Sequence, residues 1–228
     1  MNNDAEVVMN EDHEKLDGLR SFALIMVKPH AVKEASDVVV LDLFDGNCEK
    51  YASDMNLDKE ILKCLHDTKV VTHFYRHLED PKYRPVLEFL YHKENDKEYY
   101  PIVIEQYAGD CMFILLSSPM KDNDFYCQLQ KLKGEEKLDD NGKVVQEGIG
   151  IRRVLILPRQ AFDLDSLSES EMRIITNNVI HVPDSPQESA RAIRMLLHPK
   201  EIDTLSENND DFKKFINEYD PISIVRSR

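Results

Sequence analysis

Positive charge is in short supply in this sequence. Its 29 lysines and arginines stand against 43 aspartates and glutamates, a formal net charge of -14. Nucleic acids and anionic bilayers need a basic face, and the average field of this chain repels both, so no nucleic acid and no membrane is expected among its partners. Small phosphorylated ligands are not excluded, because a few locally gathered Lys, Arg and N–H groups can hold them on an acidic protein. Paired cysteines are also lacking. Cys48, Cys64, Cys111 and Cys127 are widely spaced with no C-x-x-C, which suits reduced packing thiols better than a disulfide framework or a zinc site. No apolar run reaches the length of a membrane span, and the opening MNNDAEVVMNEDHEKLDGLR is acidic, without the apolar centre of a secretion signal. No internal repeat is visible. The expectation is a soluble, cytoplasmic chain whose 228 residues can build one well-cored domain with insertions.

What is present organises that domain. Residues 1–20 read as an acidic flexible tail, 21–200 as the ordered domain with insertions near 33–56 and 153–172, and 201–228 as an acidic extension with a short helix around 212–216. SFALIMV (21–27) is the first buried strand. Ile61, Leu62 and Leu65 mark a helix over 57–66, and the β-branched and aromatic residues of 68–77 suit a strand. A helix is expected over 81–91, with Pro85 near its first turn and Val86, Leu87, Leu90 and Tyr91 on one face. Residues 99–107 suit a short helix after Pro101, although Ile102, Val103 and Ile104 would equally suit a strand. CMFILLSS (111–118) is a continuous apolar run for the centre of a sheet, 124–133 is helical up to Gly134, and Asn141-Gly142 suggests a small hairpin. Residues 152–157 are apolar and basic, and 164–173 suit a polar helix. The alternation of strands and helices around one small sheet is an α+β or α/β pattern.

The most informative stretch is NNVIHVPDSPQESARAIRMLLHP (177–199), which places His181 between a short apolar strand and a well-capped helix. Ser185 and Glu188 have the capping-box spacing, Pro186 stands where a first helical residue should be, and Ile193, Leu196 and Leu197 recur at helical spacing. Unpaired N–H groups and the positive dipole end of such a helix attract an anion such as phosphate. The plainer alternative is a histidine that merely ends a strand.

FALIMVKP (22–29), NVIHVPDS (178–185) and the closing His198-Pro199 together resemble the nucleoside diphosphate kinase family. That family has a first strand ending in Lys-Pro-Asp-Gly, a nucleophilic segment Asn-Ile-Ile-His-Gly-Ser-Asp-Ser, and a helix ending at His-Pro. The stretch 87–116 runs gap-free beside the family's helix, tyrosine, aromatic pair, helix and third strand. The resemblance implies an α+β, ferredoxin-like fold, a four-stranded antiparallel sheet with helices on one face. It implies transfer of the gamma-phosphate of a nucleoside triphosphate to a nucleoside diphosphate through a phosphohistidine at His181, with Mg2+ accompanying the bound nucleotide and no metal site of the protein's own. A neutral imidazole is nucleophilic at physiological pH, and a covalent intermediate lets one site serve donor and acceptor in turn. By the same resemblance Lys28 supports the transferred phosphate, Tyr91 contacts phosphate and lysine, and Tyr100 stacks on the base. Arg152 binds phosphate, with Arg153 or Arg173 as alternatives, and Asn178 reaches the ribose hydroxyls. The family assembles as dimers, tetramers or hexamers, so a homo-oligomer is implied, although the insertions could cap the usual contact surfaces.

The departures from the family pattern are specific. Gln130 stands where a second phosphate-binding arginine is found, and Glu136 where there is a threonine. His30-Ala31 replaces Asp-Gly, Val182-Pro183 replaces Gly-Ser, and Ala192 stands in place of the glutamate that orients the nucleophilic ring. Glu188, one turn earlier on the same helical face, could substitute for that glutamate. Two functions stay open on the sequence: an active phosphotransferase using His181, and a catalytically impaired nucleotide-binding or assembly module on the same fold.

Overall fold

Two stretches without polar alternation set the middle of the sheet, because a strand that is apolar at every position needs cover on both faces. The computed structural model describes residues 8–9, 20–33, 35–92, 100–101, 104, 107, 109–134, 137–138, 144–145, 150–151 and 179–221. In chain order the elements are β1 (Val8–Met9), β2 (Ser21–Val27), α1 (Pro29–Lys33), α2 (Ser36–Phe44), a 3-10 turn (Cys48–Lys50), α3 (Lys59–Asp67), β3 (Lys69–His77), α4 (Arg84–Leu90) and β4 (Asp110–Ser118). They continue with α5 (Asp122–Lys133), β5 (Lys137–Leu138), β6 (Val144–Val145), β7 (Ile180–His181), α6 (Pro186–Leu196), α7 (Pro199–Asn208) and α8 (Asp210–Tyr219). Within the segment 99–107, Tyr100, Pro101 and Ile104 are helical and Tyr107 lies in a turn.

The main sheet has the order β1-β3-β4-β2-β7, with every pair antiparallel. Its four principal strands, β3-β4-β2-β7, have the arrangement expected of a ferredoxin-like α+β fold. β1 adds two residues to the β3 edge through Val8↔His73 and Met9↔Thr72, so part of the segment read as a tail joins the sheet. β5 and β6 pair antiparallel in a small separate ladder through Lys137↔Val145 and Leu138↔Val144, on either side of the expected Asn141-Gly142 turn, which lies outside the described residues.

Every residue of β2 is buried, and so is every residue of β4 after Asp110. Their side chains divide between two cores. Ala23, Ile25, Val27, Met112, Ile114 and Leu116 meet α2, α3 and α5, whereas Phe22, Leu24, Met26, Phe113 and Leu115 meet α4, α6, α7 and α8. Helices therefore cover both faces of the sheet rather than one. The second cover includes α7 and α8, where the sequence suggested only one short helix around 212–216. Phe22 packs edge-on against Phe212 at a 5.5 Å ring separation and lies 5.4 Å from Phe215. Removing one such buried ring from a core costs about 3–5 kcal/mol, so the C-terminal helices belong to the folded core.

Because β7 is only two residues long, it pairs with β2 at Met26 and Val27 alone. Side chains satisfy the earlier backbone of β2. Leu24 N–H donates to Ser189 Oγ at 3.3 Å, and the Tyr126 hydroxyl donates to Phe22 O at 2.6 Å. Tyr126 also reaches Ser189 Oγ at 2.8 Å, and burial raises its phenol well above the ordinary value. This buried network anchors the first turns of α6 to the central strand.

Candidate active site

His181 is the last residue of β7 and lies opposite Met26 in the ladder, so its side chain leaves the sheet on the Met26 face. Lys28, two residues beyond Met26, takes the same side, and its backbone N–H donates to Val179 O at 3.0 Å. Five residues after His181 the chain enters α6, with Pro186 in the first turn and the N-cap Ser185 Oγ accepting from Glu188 N–H at 3.2 Å. The cap sets the direction of the first turn and brings the Glu188 carboxylate back over the loop. Glu188 Oε1 lies 2.9 Å from His181 Nε2, while Oε2 accepts from the Asp184 backbone N–H at 3.0 Å. One carboxylate thus ties the imidazole to the backbone that follows it. The His181 and Glu188 side chains are only 13% and 15% exposed, which limits competition from water.

The other imidazole nitrogen faces a phenol. Tyr91, the C-cap of α4, places its hydroxyl 3.1 Å from His181 Nδ1, with the two rings edge-on and their centroids 5.3 Å apart. With Nε2–H given to a carboxylate, Nδ1 of the neutral ring is the acceptor and carries the available lone pair. The Tyr91 hydroxyl also meets that of Tyr107, a side chain 1% exposed. Lys28 is equally buried, and its ammonium sits 4.5 Å from the centroid of the Tyr107 ring. Lys28, Tyr107, Tyr91, His181 and Glu188 therefore form one connected group. Tyr100 is half-buried and packs beside Leu90 and Ile104 against the same core.

Gln130 does not leave an empty place where the family's arginine would be. Its Nε2 lies 3.1 Å from each of Val182 O, Pro183 O and Asp184 Oδ1, and its Oε1 accepts from Lys133 at 3.2 Å. The amide therefore holds the loop after His181 from the α5 side, as Glu188 does from the α6 side. Val182 and Pro183 are buried, and so is Ala192. Gly150 adopts φ +100 against the end of α5, where an added Cβ would lie 2.0 Å from Leu132 O, and its N–H donates to Met55 O at 2.8 Å. This close approach fixes the chain immediately before Arg152. Arg152 itself lies outside the described residues, as do Arg153, Arg173, Asn178 and Glu136.

The fold has relatives of known structure. The nucleoside diphosphate kinase of Aquifex aeolicus superposes over 80% of this chain and 98% of its own, at a TM-score of 0.50 and 15% identity. That of Encephalitozoon cuniculi covers 78% and 88% at 0.47 and 16%, and a nucleoside diphosphate kinase family protein from Babesia bovis covers 79% and 90% at 0.47 and 15%. No protein-family model matches the sequence, and no curated protein does. At this identity the likeness to the Aquifex aeolicus protein is one of fold, and the chain has a nucleoside diphosphate kinase-like fold.

On that fold, local patterning singles out His181, the family resemblance adds Tyr91 and Lys28, and the structure brings the three side chains together. Tyr107 escapes it, because a lone Tyr in a turn has no local signature and its contact with Tyr91 depends on how α4 meets the segment before β4. Two buried cysteines among the described residues, Cys48 and Cys111, are not arranged for chemistry. Cys48 Sγ lies 3.8 Å from both nitrogens of His66, a contact with no directed thiol–imidazole bond, and burial raises its thiol. Burial likewise pushes the Cys111 thiol far up, against the opposing charge of Lys28. Among the described residues no three His, Cys, Asp or Glu side chains are grouped to hold a metal ion, and no helix is long and apolar enough to cross a membrane.

Proposed function

We propose that this protein is a nucleoside diphosphate kinase-like phosphotransferase in which His181 Nδ1 is the nucleophile. The observation that carries the proposal is the two-sided hold on one enclosed imidazole, with Glu188 on Nε2 and a phenol on Nδ1. In the first half-reaction the Nδ1 lone pair forms a bond to the gamma-phosphorus as the bridging P–O bond breaks, and the nucleoside diphosphate leaves with that oxygen. In the second, a terminal oxygen of another diphosphate attacks the phosphorus and the N–P electrons return to Nδ1.

The chain's part is to hold the ring, exclude water and neutralise charge. Glu188 keeps the Nε2 proton in place, Tyr91 turns its hydroxyl to the transferred group, and Lys28 and Arg152 supply positive charge. Asn178 serves the ribose and Tyr100 the base. Mg2+ carried on the nucleotide would offset the charge of its phosphates.

A second function is favoured by one feature: Gln130 brings no charge and commits its amide to the loop. A nucleotide-binding or assembly module without transfer would have this character. Incubation with gamma-labelled ATP and Mg2+ separates the two. Acid-labile, base-stable label on the wild type, absent from His181→Ala and discharged by added nucleoside diphosphate, is the expected result. ATP binding without any label would overturn phosphoryl transfer and leave the module.

A further inference from the structure

We infer that Tyr107 is a positioning residue that dictates which way the Tyr91 hydroxyl points its proton, and so controls the reacting nitrogen of His181. The inference rests on His181 being the nucleophile, but its hydrogen-bond content holds without turnover.

The direction follows from one carboxylate. Glu188 accepts from Nε2–H at 2.9 Å, which leaves Nδ1 without a proton in the neutral ring. A bare Nδ1 opposite a phenol at 3.1 Å accepts from it, so the single Tyr91 proton is committed to His181. The Tyr91 oxygen must then be the acceptor in its contact with Tyr107, and Tyr107 the donor. Protons along Tyr107, Tyr91, His181 and Glu188 all point the same way, and each bond polarises the next.

Tyr107 is fixed for this task. Its side chain is 1% exposed, its ring lies 4.9 Å from that of Tyr91, and the Lys28 ammonium rests on its face at 4.5 Å. When Nδ1 bonds phosphorus it can no longer accept a hydrogen bond. The Tyr91 oxygen is still occupied by Tyr107, so its proton is delivered to a phosphoryl oxygen instead of turning back into the core. Tyr107 thus keeps Tyr91 a donor in both states, first to the nucleophile and then to the group it carries.

Tyr107→Phe removes the hydroxyl and keeps the ring beneath Lys28. The test uses full-length protein with 15N-labelled histidine, the His181 signals being assigned by loss in His181→Ala. Wild type is expected to show an Nε2-protonated ring with a hydrogen-bonded Nδ1. Tyr91→Phe should move the Nδ1 signal toward that of a free acceptor, and Tyr107→Phe should move it the same way by less. Labelling by gamma-labelled ATP should fall about tenfold in Tyr107→Phe with half-saturation unchanged, because ground-state binding is retained while the reacting nitrogen is less well placed. An Nδ1 signal identical in wild type and Tyr107→Phe would overturn the inference. A shifted signal in a protein that never takes label would support the positioning role and overturn only the transferase.

Discussion

His77 and His181 both sit on carboxylates, and their surroundings are chemically opposite. His77 lies at the end of β3 with Nδ1 2.9 Å from Asp110 and Nε2 3.1 Å from Glu79. Its side chain is 49% exposed, and the two carboxylates raise its pKa above the ordinary 6.5. Two flanking carboxylates favour the doubly protonated imidazole, a form that has no lone pair with which to attack. His181 has a carboxylate on one nitrogen and a phenol on the other. The phenol can donate, so Nδ1 remains an acceptor while both nitrogens are held. The exchange of one carboxylate for a tyrosine, inside a shell that excludes most water, separates a candidate nucleophile from a surface charge.

The comparison breaks most readily at Glu188. Glu188→Ala frees Nε2 and the Asp184 N–H together, and labelling by gamma-labelled ATP should fall about 100-fold, since the ring loses both its orientation and its tautomer. Glu188→Gln keeps an acceptor oxygen and should recover part of that loss; equal rates for the two variants would remove Glu188 from the site. A smaller effect is expected at Gln130. Gln130→Ala deletes an amide shared by two carbonyls and a carboxylate, and denaturant titration should show a loss of about 1 kcal/mol. Labelling should fall several-fold in the same variant as the His181 loop slackens.

The smallest effect belongs to His77. Its pKa is raised on folding, so its contribution to stability is complete below 6.5 and disappears as pH climbs through the folded value. The pair is exposed and screened, so the effect is minor and should weaken further in salt. His77→Gln should remove that pH-dependent increment from unfolding curves and leave labelling at His181 unchanged. A change in labelling would show that the two histidines are coupled.

Much of the fold was legible because the strongest signals were local. The apolar runs at 21–27 and 111–118 announced central strands, and the Ser185, Pro186 and Glu188 pattern announced the start of α6, where Ser185 caps as expected. The stripe of Phe212, Phe215 and Ile216 marks a short helix in the sequence, whereas α7 escapes a local reading because only Ile202 and Leu205 of its largely polar residues are buried in the core. The same limit applies at the site. Gln130 read as a missing charge, while its neighbours, 52 to 54 residues away, turn it into a loop support. Glu188 could be proposed from helical spacing, but its reach to Nε2 depends on the bend of the loop.

By itself the sequence determined the strand and helix periods and the capped helix behind His181, because each follows from backbone preference or a short motif, and it named Lys28 and Tyr91 as candidates only through the family resemblance. Only the tertiary structure decided what surrounds the imidazole. Whether a nitrogen keeps a lone pair depends on which donors and acceptors lie within about 3 Å of it. At Nδ1 that is Tyr91, 90 residues distant in the chain and backed by Tyr107, two phenols that no local pattern pairs with a histidine.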